Sequence, residues 1–219
     1  MKSFISTNIR ATSLLAIMAL SICPAVAEVE AVGSLNEESS AGWEVSSTDL
    51  INVGAPSLSA VSGQGEGMRV AVTDGKAGGA LTADTQASEY MSYDNVSYSV
   101  TYELNTEAHP NGYDIDEICT YAGWSQWRVN QVYEVVVKTV ASDREPIAQV
   151  SYTPVVEGLP KLADASTKVS IKNNDGSLLA TGVTAITFTF TGDTENPQAG
   201  ASALGAMYRE IDVIGKPTP

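Results

Sequence analysis

The segment "TYAGWSQWRVNQ" (residues 120–131) places Trp124 and Trp127, two of the chain's three tryptophans, beside Arg128, Asn130 and Gln131. Aromatic faces stack on the C–H surfaces of sugar rings, and guanidinium and amide groups pair with neighbouring hydroxyls. His109 and Asn111 precede the same region. Trp127, Arg128, Trp124, His109 and Asn111 are therefore the candidate ligand contacts. Each has a competing structural role: a tryptophan near a strand end also plugs a core, and a lone loop histidine also sits in solvent. Asp114, Asp116 and Glu117 form a second group, but carboxylates on one short strand do not supply the opposed acid and base of glycoside hydrolysis. Cys119 has only His109, the single histidine, as a possible catalytic partner, and its apolar surroundings predict a buried, inert thiol. There is no histidine pair for a metal, no Gly-rich phosphate loop and no serine elbow. The closing "MYREIDVIGKPTP" is unusual in another way, because it sets Arg209, Glu210 and Asp212 within an apolar strand.

The elements that must position these residues are strands. Val96, Tyr98, Val100, Tyr102 and Leu104 alternate with Ser97, Ser99, Thr101 and Glu103, the two-residue period of a half-buried strand. Ile186, Phe188 and Phe190 alternate with Thr187, Thr189 and Thr191, and Tyr133, Val135 and Val137 with Glu134, Val136 and Lys138. Further strands are expected at 49–53, 68–72, 114–121, 147–152 and around Val169 and Ile171. In the closing strand, strict alternation puts Met207, Arg209, Ile211 and Val213 on one face and Tyr208, Glu210, Asp212 and Ile214 on the other. Between the strands stand "GQGEG", "TDGKAGG", "HPNG", "NNDG" and "GDTENPQAG", whose Asn-Gly and Asp-Gly pairs suit tight turns. Many short strands without a helical pattern predict an all-β antiparallel sandwich or barrel.

Residues 1–27 predict a signal peptide: Lys2 and Arg10, then the apolar "LLAIMALSI", then Ala25-Val26-Ala27 as a cleavage site. "LSIC" ending at Cys23 offers a lipobox as the alternative, with Ile22 where a small residue is preferred. The apolar run is too short to span a bilayer. The expected organisation is a signal peptide at 1–27, an N-terminal arm at 28–46, a β-sandwich at 47–215 and a tail at 216–219, in a protein that is secreted, periplasmic or on the cell surface. Without Lys2 and Arg10, ten basic residues face 26 acidic ones, a net charge of −16. Such a chain repels nucleic-acid phosphates and anionic lipid, so neither nucleic acid nor membrane insertion after signal cleavage is expected. Cations and neutral glycans are compatible with it.

The succession "VTDGKAGG", "SVTYELNT", "NGYDIDEICTYAGWSQWRVNQVYEVVV", "LLATGVTAITFTF" and "YREIDVIG" resembles a bacterial discoidin-like domain over Asp49 to Gly215. This group belongs to the galactose-binding-like sandwiches, together with coagulation-factor type C domains and many carbohydrate-binding modules. The resemblance implies a jelly-roll β-sandwich of about eight antiparallel strands that is not an enzyme. It also implies a structural calcium held by Asp74, in the Asp-Gly turn, and Glu210, in the closing strand. An ordinary turn aspartate and an ion-paired glutamate are the alternative. The chain departs from its relatives after the turn, where "DGKAGGALTA" lacks their closely spaced Thr and Trp. In relatives the position of Arg128 often braces the loop. The implied function is a secreted module that binds carbohydrate or a cell-surface polymer, the alternative being a structural or adhesive module working through protein contacts.

Overall fold

The computed structural model describes residues 28–36, 43–63, 72–77, 90–91, 97–123, 129–154, 166–191 and 206–219. Residues 1–27, residues 64–67 of the "GQGEG" turn and residues 68–71 of the strand expected at 68–72 lie outside them. The described residues form ten strands and no helix: β1 (Val29–Asn36), β2 (Leu58–Gly63), β3 (Tyr90–Met91), β4 (Tyr98–Leu104), β5 (Tyr113–Gly123), β6 (Gln131–Thr139), β7 (Glu145–Tyr152), β8 (Ser166–Asn173), β9 (Ala180–Phe190) and β10 (Met207–Pro217). All pairings are antiparallel. One layer runs β1-β8-β5-β10-β3 and the other β2-β4-β9-β6-β7, the two joined where the start of β5 pairs with the start of β9.

The alternating residues supply the core between the layers. Val100, Tyr102 and Leu104 of β4, Tyr133, Val135 and Val137 of β6, and Ile186, Phe188 and Phe190 of β9 are all buried, while Ser99 and Glu103 face water. Rings from the two layers meet in the core: Tyr208 of β10 lies tilted 4.3 Å from Phe190 and edge-on 6.0 Å from Tyr133, centroid to centroid. On the outer face the threonines pair across strands, Thr101 with Thr187 at 2.8 Å and Ser99 with Thr189 at 3.0 Å. Each such pair is worth roughly 0.2–1 kcal/mol.

Three expectations change. The stretch expected as an arm contributes a strand, β1, which pairs with β8 along its whole length. Gly33 makes this possible, since a Cβ there would fall 2.3 Å from the Tyr152 ring. Residues 49–53 form turns rather than a strand, because Asp49 Oδ1 accepts the Ile51 N–H at 3.0 Å, a local bond that competes with a ladder. The expected tail is tied down as well: Lys216 and Pro217 belong to β10, Thr218 N donates to Gly112 O at 3.0 Å, and Asn111 Nδ2 donates to Pro219 O at 2.8 Å.

Candidate functional site: a buried acid cluster

The closing strand does not alternate strictly. Its pairing with β5 shifts register between Tyr208 and Glu210, a β-bulge that puts one extra residue on β10. Tyr208 therefore points into the core together with Ile211 and Val213, correcting the face assigned by simple alternation. Arg209 at the bulge is 3% exposed and is spent on backbone: Nε donates to Ala77 O at 3.2 Å and Nη1 to Gly123 O at 3.4 Å. Beyond the bulge, Glu210 and Asp212 share the face turned away from the core.

On that face the chain crosses over itself. Ser46 N donates to Asp212 Oδ2 at 3.0 Å, Leu50 N to Val213 O at 2.9 Å, and Ile211 N to Val72 O at 2.7 Å. The crossing carries Asp49 to β10, where Oδ1 also accepts Val213 N at 3.3 Å. Asp49, Glu210 and Asp212 each offer an oxygen within 4.8 Å of the others, and all three are buried, Glu210 completely. Asp74, the turn aspartate, lies outside this triad, but its charge reaches Glu210 and its Oδ1 is buried without a partner. The turn itself closes on Glu210, with Gly75 N donating to Oε1 at 3.1 Å and Lys76 N to Oε2 at 3.4 Å.

The electrostatics are costly. Burial, reinforced by the charges of Asp212 and Asp74, pushes Glu210 up to about 9 against the two amide bonds. Burial likewise raises Asp49 to about 6, with Asp212 adding to it. Asp212 is raised by burial too, although Ser46 N, the Tyr121 hydroxyl at 2.9 Å and Lys168 oppose the shift. The ion pairs formed among the described residues, Lys138–Asp143 and Arg144–Glu134, lie elsewhere. Asp49 Oδ2 and Asp212 Oδ1 are buried and have no hydrogen-bond partner. Like charges gathered in low dielectric with orphaned oxygens either hold protons or bind a cation. The donor set consists of hard carboxylate oxygens without nitrogen or sulfur, which fits a hard cation rather than zinc. The triad can hold a metal ion.

Of the residues expected to meet ligand, Trp124, Trp127 and Arg128 lie outside the described residues. His109 and Asn111 sit in the loop from β4 to β5, before Tyr113. Gln131, named among the chelating amides, is fully buried and consumed internally: Nε2 donates to Thr167 Oγ1 at 3.0 Å and Oε1 accepts the Thr120 hydroxyl at 2.5 Å. Its phase with Tyr133 and Val135 already marked it as inward. Cys119 is buried in β5, and burial with Glu117 nearby pushes its thiol up to about 12, as expected of an inert residue. Trp43 packs against β8, its Nε1 donating to Ser166 Oγ at 2.9 Å. The sequence reading missed Asp49 and Asp212. Asp212 carried a signal, two residues beyond Glu210 and in phase with it; Asp49 carried none, being taken for a strand residue.

No family model matches the chain, and no curated protein matches it. Its neighbours among solved structures are carbohydrate-binding modules. A family 32 module produced by Clostridium perfringens is similar at 11% identity and a TM-score of 0.42, covering 71% of this chain and 92% of its own. Another from the same organism, in complex with GlcNAc-α-1,4-galactose, is similar at 16% identity and 0.41, covering 72% and 90%. A fucose-binding module of Streptococcus pneumoniae is similar at 8% and 0.40, covering 76% and 96%. With TM-scores below 0.5 and identities of 8–16%, these likenesses extend to no site of this chain.

Proposed function

We propose that the protein is an exported, non-catalytic binding module for carbohydrate or a cell-surface polymer, held together by a structural calcium ion. The observation that carries the calcium half is the acid cluster. Asp49, Glu210 and Asp212 would ligate the ion, with Asp74 beside them, and calcium would supply the charge that three buried carboxylates lack. Calcium takes six to eight oxygens from carboxylates, backbone carbonyls and water. The cluster is sealed from solvent, so its carboxylates have no substrate to protonate or deprotonate.

The carbohydrate half rests on the resemblance of the quoted stretches and on the residue types at 124–128. Tryptophan and arginine on a segment leaving the end of a rigid strand are suited to stacking on a sugar and pairing with its hydroxyls. Export rests on the first 27 residues. The test is a glycan-array screen of residues 28–219 in calcium buffer, with Trp127→Ala alongside. Binding that disappears in the variant supports the reading and places the contact on the 124–128 segment. Absence of binding to every glycan would overturn it in favour of a protein-contact module.

A further inference from the structure

Between the wall of residues 47–57 and the loop joining β4 to β5 lies a cleft of about 550 Å³, lined in part by Leu50, Val53, Pro56, His109, Tyr113 and Pro217. That volume falls within the range of small-molecule sites. Asn105 fastens the two walls to each other. Its N–H donates to Ser57 O at 2.8 Å and its Nδ2 to Pro56 O at 3.0 Å, while Oδ1 accepts Ala108 N at 3.1 Å and its carbonyl accepts the Tyr113 hydroxyl at 3.3 Å. Ser57 Oγ adds a bond to Leu50 O at 2.7 Å. A ligand entering here would not have to order its own walls, which removes a main cost of binding.

The lining also restricts the chemistry of the ligand. It is mainly apolar and contains no lysine or arginine. Its one carboxylate, Asp49, is 3% exposed and turned to the acid cluster. Charged ligands therefore find no counter-ion. His109 supplies an available polar group: its ring stands edge-on to Tyr113, centroids 5.3 Å apart, and its nitrogens bond to no described residue.

We propose that this cleft binds a small uncharged ring compound, mainly apolar and bearing a hydroxyl, with His109 as its hydrogen-bonding partner. The proposal is distinct from the carbohydrate reading, which rests on the residue types at 124–128, whereas the cleft is argued from its own lining of residues 47–57 and the β4–β5 loop. The test titrates the protein with N-phenyl-1-naphthylamine, an uncharged fluorophore that brightens in apolar sites, and displaces it with p-cresol. The expected result is saturable one-to-one binding, weakened at least about tenfold by Ala55→Trp and by Ala108→Trp, each of which fills the cleft. His109→Ala should weaken p-cresol more than the fluorophore. Thermal unfolding of each variant checks that the fold is retained. Lack of saturable binding by the folded wild type would overturn the proposal. So would equal binding by both folded tryptophan variants.

Discussion

At the scale of single residues, Glu210 decides most. A carboxyl that is fully buried and raised to about 9 keeps its proton at neutral pH unless a cation replaces it. Its unfolded value is 4.5, so between roughly pH 4.5 and 9 the folded chain binds more protons than the unfolded one, and stability falls as pH rises through that window. In chelator the melting temperature should therefore drop steadily from pH 5 to pH 9, with Asp49 adding to the lower part of the slope. Calcium should flatten the profile. Glu210→Gln, which keeps the shape and removes the charge, should lose the calcium response and keep only the shallower slope at lower pH that Asp49 and Asp212 supply in thermal melts. A wild-type melt unchanged by chelator at pH 8 would refute a cation at this site. Asp49→Asn tests the triad itself: it should weaken the calcium response, whereas a site built only on Asp74 and Glu210 would leave it intact.

At the scale of elements, the bulge in β10 explains what alternation alone could not. The phases of β4, β6 and β9 were legible because each strand buries one face and wets the other, so apolar and polar residues take turns. β10 is buried on both faces, and its polar residues are placed by partners remote in sequence. The register shift between Tyr208 and Glu210 leaves no mark in the residue types. It has a measurable consequence. Tyr208→Ala should cost about 3–5 kcal/mol in denaturant unfolding, as an aromatic lost from a core does, where an outward tyrosine would cost little. The turn before β5 is equally constrained. Gly112 has φ 75° and a Cβ there would lie 2.6 Å from Gly182 backbone, so Gly112→Ala should destabilise by more than about 1 kcal/mol. Asp49 shows the limit of legibility: nothing in "DLINV" distinguishes a strand from a turn whose aspartate reaches a strand more than 160 residues away.

At the scale of the whole molecule, the layer built on β5 carries a buried thiol, on the face it shares with Asp212, that reports on that layer. Cys119 is 3% exposed in the middle of β5, between Ser170 of β8 and Asp212 of β10. A thiol reagent should label it only through global opening, so the labelling rate in native buffer should fall when calcium is added. Labelling as fast as in denaturant would show that this layer opens on its own. The all-β architecture was legible from the sequence because it rests on many strands that each need only a two-residue period. The acid cluster was only half legible, since it depends on the crossing of residues 46–53 over β10.

The crossing also sets an order in time. Asp49 precedes the β10 carboxylates by more than 160 residues, so synthesis supplies it long before Glu210 and Asp212. Until β10 arrives, Asp49 stands in water, charged and harmless. The site comes into being only once β10 has been made, so a fragment ending before residue 206 has no place for the ion, however much of the sheet it has formed. Addition of calcium should then protect residues 28–219 from proteolysis and leave such fragments as vulnerable as before.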